Sequence, residues 1–189
     1  FQIIANGYGG GICVEMGSCN LDKCVVSGNS AMGHGKAMAI RLGLVNIENC
    51  SFFSNSGSTL HDMWLDNSTV NMNNSTIIGS INPWSSTFNL KNSSIIGGGY
   101  VAFDGNHLLF DNSIWTEPNL IFYEGTTSNT WQAKYSILGD SLFGADKSIV
   151  ISGSIPDHTT WLDSLAYNGG PTPTMKLKNI PGNYALNYG

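Results

Sequence analysis

A ten-residue pattern returns five times along the chain without gaps: Gly17–Val26, Gly43–Phe52, Ser68–Ile77, Ser86–Ile95 and Asn106–Trp115. Its Cys/Ser column falls at Cys24, Cys50, Ser75, Ser93 and Ser113, so the steps are 26, 25, 18 and 20 residues. A period that varies while the pattern holds is the mark of stacked strands joined by turns of unequal length. Helical repeats keep a fixed, longer period and need helix formers, which are scarce here. Inside the pattern apolar and polar residues alternate. Cys19, Val45, Val70, Phe88 and Leu108 form one apolar column. Leu21, Ile47, Met72, Leu90 and Phe110 form a second. Asn20, Asn46, Asn71 and Asn89 lie between them and should point outward, as the period of two in a half-buried strand requires.

Two further strands complete each repeat. Upstream, Ile12, Met38, Met63, Ile81 and Val101 alternate with Val14, Ile40, Leu65, Pro83 and Phe103 as inward columns. Downstream, Val26, Phe52, Ile77, Ile95 and Trp115 form another. The turn column Asn49, Asn74, Asn92 and Asn112, with Lys23 as the exception, suits the left-handed backbone of a sharp corner. Asn amides stacked this way can also bond along the ladder. The sequence therefore predicts an all-β chain, a right-handed parallel β-helix of 18–26 residues per rung with three short strands per rung. Rungs should occupy residues 1–140, and a Pro-containing closing segment residues 141–189. Asn6, Asn29 and Asn55 share a column, and the five-residue count that links Asn55 to Cys50 and Asn29 to Cys24 places Phe1 in mid-rung. Further rungs, or another chain, are expected to cover that end.

Several motifs carry a resemblance. Gly9-Gly10-Gly11-Ile12 and Phe52-Phe53-Ser54-Asn55 resemble the Gly-Gly-x-Ile and Phe-x-x-Asn motifs of bacterial polymorphic outer-membrane-protein repeats. Asn112-Ser113-Ile114-Trp115 through Tyr135-Ser136-Ile137-Leu138 resembles the closing rungs of bacterial choice-of-anchor Q domain proteins. So does Asn168-Gly169-Gly170-Pro171-Thr172, followed by Ile180-Pro181-Gly182. Asn183-Tyr184 stands where that family has Ser-Pro. The resemblance implies a pectin-lyase-like solenoid that is secreted or displayed on a bacterial surface. It implies no single chemistry, since polysaccharide lyases and hydrolases share the fold.

Composition narrows the partners. Charged residues are 11% of the chain, against about 25% in an average soluble domain. The net charge of −5 lacks the basic stripe that nucleic acid needs. No run of about 18 apolar residues is present to span a membrane. The four cysteines, Cys13, Cys19, Cys24 and Cys50, form no C-x-x-C pair and no zinc pattern, so no metal or cofactor is implied. Cys19 should be a buried thiol. Cys24 and Cys50 sit one ladder step of about 4.8 Å apart, within disulfide reach, although rigid parallel stacking rarely orients both Cβ atoms for the bond.

Site candidates lie on the outward face of the upstream strand. Glu15, Arg41 and Asp66 should form an acid–base–acid column, readable as a surface ion-pair ladder. Trp64 and Trp84 share that face in neighbouring rungs. With Arg41 and Asp66 they can stack on and hydrogen-bond a sugar, unless a loop or another chain covers them. A catalytic alternative uses Lys36, Arg41, His61 and Asp62, with Lys36 and His61 in one column at a strand entrance. A hydrolase pair, Asp66 and Asp104, would be two rungs apart. His34, His107 and His158 read as turn or surface residues, and Gly9 to Gly11 lacks the Lys-Ser/Thr of a phosphate loop. Together these features favour a bacterial cell-surface scaffold contacting glycan or protein over a polysaccharide-active enzyme or a purely structural stalk.

Overall fold

The computed structural model describes residues 4–5, 7–57, 61–97, 100–101, 105–116, 121–122, 130–138, 149–150, 162–181 and 183. Every regular element among them is a strand, and no helix long and apolar enough to cross a membrane is present among them. Successive repeats each give one strand to three parallel sheets. Sheet I contains Ile12–Glu15, Met38–Arg41, Met63–Asp66 and Ile81–Trp84. Sheet II contains Ser18–Asp22, Leu44–Glu48, Thr69–Asn73, Thr87–Lys91, His107–Asp111 and Thr130–Lys134. Sheet III runs over seven strands, from Val25–Ser27 to Ile149–Val150. A three-stranded sheet joins Ile4–Ala5, Ser30–Ala31 and Ser56–Gly57, and a two-stranded one pairs Tyr100–Val101 with Ile121–Phe122.

The register follows the sequence columns. Cys19, Val45, Val70, Phe88 and Leu108 are direct partners in sheet II, as are Val26, Phe52, Ile77, Ile95 and Trp115 in sheet III. In sheet I the column Ile12, Met38, Met63, Ile81 holds, but Val101 pairs with Phe122 in the separate two-stranded sheet. Phe103 lies outside the described residues. Burial alternates along the middle strands, and the inward residues of all three sheets pack into one core. Cys19 departs from expectation: it is half-buried, because Ser18–Asp22 is the edge strand of sheet II and has a neighbour on one side.

Two left-handed corners per repeat turn the chain between sheets. The second corner carries Lys23, Asn49, Asn74, Asn92 and Asn112 at φ 47–54°, as the Asn column predicts. The first carries Met16, Leu42, Asn67 and Ser85 at φ 45–51°, which the sequence does not advertise. The Cys/Ser column follows the second corner, and its chemistry explains its composition. The backbone N–H of Ser75 donates to Ser93 Oγ (3.0 Å), that of Ser93 to Ser113 Oγ (3.2 Å) and that of Cys50 to Ser75 Oγ (2.9 Å). Each hydroxyl then donates back to the carbonyl two residues before it. A buried corner N–H would otherwise lack a partner. Cys50 performs the same role with sulfur, receiving the Cys24 N–H at 3.4 Å. All four cysteines are free thiols, and burial raises the Cys50 thiol pKa.

Part of the closing segment is placed by two contacts with the second repeat. It lies on the outer face of sheet III beside the second repeat. Thr172 Oγ1 donates to the carbonyl of Asn49 (2.8 Å), and Ser51 Oγ donates to the carbonyl of Pro173. The small polar side chain of Ser51 on that face is fully buried and meets the strap. Residues 1–3 and 6, on which the mid-rung expectation for the chain start rests, lie outside the described residues, and so does His158.

Candidate functional site

Sheet I carries the predicted site. Strand pleating sends Cys13, Ala39, Trp64 and Asn82 to its outer face as one column, and Glu15, Arg41, Asp66 and Trp84 as the next. The acid–base–acid column forms: Arg41 Nη1 stands 3.4 Å from Glu15 Oε1, and its Nε 3.4 Å from Asp66 Oδ2. Both Glu15 and Arg41 are half-exposed, so each pair contributes about 1 kcal/mol or less.

The two tryptophans are not equivalent. Trp84 is half-buried, and its Nε1 donates to Asn82 Oδ1 (3.1 Å). Trp64 is only 5% exposed. Tyr8 stacks against it at 5.1 Å and His34 at 5.0 Å, while Trp84 meets it edge-on at 6.0 Å. Trp64 is therefore a wall under a cover, not an open platform. The cover comes from two chain segments, 7–11 and 32–37, whose backbones stack on each other before each sheet I strand begins. Gly9 N donates to the His34 carbonyl and Gly10 N to that of Gly35, both at 2.9 Å. A Cβ on Gly10 would stand 2.2 Å from the Lys36 carbonyl, so this contact requires glycine. The Gly9 to Gly11 run thus serves close backbone packing. Tyr8 and His34 were not legible as site residues, and His34 is half-buried rather than a free surface residue. One signal was available, since their spacing of 26 equals the repeat step.

Lys36, His61 and Asp62 come together as the alternative constellation requires, but as a closed cluster. Lys36 Nζ lies 3.5 Å from Asp62 Oδ2, both side chains being largely buried. Asp62 Oδ2 also accepts from the Ser80 N–H (2.9 Å). Burial, with the charges of His34 and Lys36 adding to it, pushes the His61 pKa down to about 4, so the ring is neutral at pH 7. Arg41 belongs to a different place, at the far end of the Met38–Arg41 strand. The arrangement ties the 32–37 segment to the sheet. Asp104 lies outside the described residues, so the Asp66–Asp104 pair has no geometry here. Among the described residues no group of three His, Cys, Asp or Glu side chains is placed to share a metal ion.

Where Trp64 meets the shorter side chains of the preceding repeats, a hollow of about 200 Å³ opens. Tyr8 and Trp64 are its walls, Cys13, Val14 and Ala39 line its base, and Arg41 and Glu15 stand at its rim. Its origin is the column itself, which steps from Trp64 down to Ala39 and Cys13. A wider trough of about 480 Å³ runs over the outer face of sheet II. There the amides of Asn20, Asn46, Asn71 and Asn89 bond one another at 2.7–2.9 Å. That trough has no aromatic wall, and its amides already serve as each other's partners. The hollow on sheet I combines ring surface, a guanidinium and a carboxylate, and is the better candidate. Comparison with protein-family models, with curated proteins and with solved structures finds no match to this chain.

Proposed function

We propose that this chain is part of a right-handed parallel β-helix, a pectin-lyase-like solenoid, secreted or displayed at a bacterial surface, and that it works as an adhesin-like scaffold contacting glycan. The observation that carries the contact is the hollow beside Trp64. Its mixture of aromatic wall, guanidinium donor and carboxylate acceptor is the mixture that sugar recognition uses, apolar ring faces against rings and charged groups against hydroxyls. At about 200 Å³ it is smaller than the roughly 300–1,000 Å³ of a pocket for drug-sized ligands, and suits one sugar ring of a longer chain. The solenoid reading rests on the matched parallel register and on the left-handed corners that recur with each repeat.

Contact is favoured over turnover because His61 and Asp62, the groups an enzyme would use, are 9% and 5% exposed and engaged inside the protein. A glycan array tests the proposal. The chain should retain a defined subset of glycans, and Ala39→Leu, which fills the hollow, should abolish retention. Arg41→Ala should weaken it at least tenfold while leaving the thermal midpoint within a few degrees. Labelling of the exposed Cys13 with a bulky maleimide should block binding in the same way. Retention that survives all three changes would rule the hollow out. Release of reducing or unsaturated sugar ends from the same panel would favour the enzyme instead.

A further inference from the structure

The charge around the hollow is one-sided. Arg41 is shared between Glu15 and Asp66, so two carboxylates face one guanidinium and the group carries a net −1. Both N···O separations are 3.4 Å, well outside the 2.7–2.9 Å of a strong charge-assisted hydrogen bond. Neither carboxylate is saturated by Arg41. Glu15 is half-exposed at the rim and keeps acceptor positions free for a ligand. The neighbouring basic groups do not reverse this sign. Lys36 is drawn away into its ion pair with Asp62, and His61 is neutral at pH 7. The exposed wall acts in the same sense, because a tyrosine ring face attracts cations and Tyr8 is 54% exposed. An anionic sugar would meet Glu15 and the electron-rich Tyr8 ring. A protonated amine would be favoured by both.

Resting on the glycan-contact reading, we propose that the hollow selects a sugar carrying a free protonated amine, a hexosamine unit, over N-acetylated, neutral or acidic sugars. The ammonium group sits against Glu15 at the rim, beside the exposed side of the Tyr8 ring. The ring hydroxyls take up the remaining donors of Arg41. A bare quaternary ammonium ion shares the cation chemistry but offers nothing to Arg41.

The test uses the whole chain and four probes at low salt, at a pH where the amine is protonated: a glucosamine tetramer, its fully N-acetylated counterpart, a uronate tetramer and choline. Binding is read by titration calorimetry and by the tryptophan fluorescence of the Trp64–Trp84 cluster. The glucosamine tetramer should bind at least tenfold more tightly than the acetylated form, and the uronate should not bind. Glu15→Gln should weaken the glucosamine tetramer at least fivefold. Arg41→Met, which removes the donor to the ring hydroxyls, should weaken both tetramers alike and leave the preference for the amine standing, whereas Glu15→Gln should erase that preference. Equal binding of both tetramers, or uronate binding that Arg41→Met abolishes, would overturn the amine selectivity and leave glycan contact standing. Choline binding as tightly as the tetramer would overturn the sugar and leave a simple ammonium cage. No binding of any saccharide, joined to an array unaffected by Ala39→Leu, would remove the glycan reading itself.

Discussion

His61 shows how burial sets a single group's chemistry. Its imidazole is 9% exposed and its pKa is pushed from 6.5 down to about 4, by burial first and by the charges of His34 and Lys36 second. The unfolded chain takes up a proton near pH 6.5 that the folded chain refuses until about pH 4. Stability is thus complete above pH 6.5, falls between pH 6.5 and about 4, and loses nothing more from this group below that. A shift of this size corresponds to about 3 kcal/mol. Thermal midpoints measured from pH 7.5 to 4 should show the drop, and His61→Gln should flatten it. An unchanged slope in the variant would place the acid sensitivity elsewhere. Leu42 presents a different strain. It holds φ 51° at a corner while 51% exposed, a conformation that costs an ordinary residue about 1–2 kcal/mol. Leu42→Asn should raise the unfolding free energy by about 1 kcal/mol in urea titrations; a loss would mean the Leu side chain packs usefully where it lies.

At the scale of the strand, sheet II shows a ladder that stops. Asn46 donates to Asn20, Asn71 to Asn46 and Asn89 to Asn71. The next residue in register is Leu109, 42% exposed, and Asn89 Oδ1 is buried beside it without a hydrogen bond. Leu109→Asn should extend the ladder by one step and satisfy that oxygen, adding about 1 kcal/mol. A rise of roughly 2–4 °C in the thermal midpoint checks this, and a fall would show that Leu109 contributes more by packing than the amide could by bonding. The inward side of the same strands is less forgiving. Phe88 is fully buried between Val70 and Leu108, so Phe88→Ala should cost about 3–5 kcal/mol by leaving a cavity. Chemical denaturation would read this as a lower midpoint with an unchanged slope.

At the scale of the whole molecule, the C-terminal strap connects residues far apart in sequence. Within it Leu162 bridges Leu177 and Ala166 bridges Thr174, antiparallel, and Asn168 Nδ2 holds the turn by donating to the Thr174 carbonyl (2.8 Å). Thr172, 2% exposed, anchors the strap to Asn49, 123 residues earlier. Thr172→Val keeps the side-chain shape and removes the donor, leaving the partly buried Asn49 carbonyl without that partner at a cost of about 1 kcal/mol. That cost should fall locally. Limited proteolysis should cleave within 162–181 many times faster than in the parent, while the repeat region stays intact. Equal acceleration throughout the chain would mean that the strap and the sheets unfold together.

The repeat determined what neighbours in the stack decide between themselves. Which residues pair, which face inward and where Asn turns the corner follow from alternation and from stacking on the adjacent repeat, so the columns of sheets II and III, and that of sheet I as far as Ile81, are legible in the sequence, while Val101 is not. The column Glu15, Arg41, Asp66 was legible for the same reason. What crosses over a sheet was not. The burial of Trp64 depends on segments 7–11 and 32–37 turning back across the outer face, and the spacing of 26 between Tyr8 and His34 says that they stack on each other but not that they cover Trp64. The strap's seat depends on Ser51 being small where Pro173 arrives and on the Asn49 carbonyl standing where Thr172 can reach it. Pairing within a column is a nearest-neighbour choice written in local periodicity. Covering a face is a choice of shape and volume among residues the sequence keeps far apart, and only the folded chain makes it.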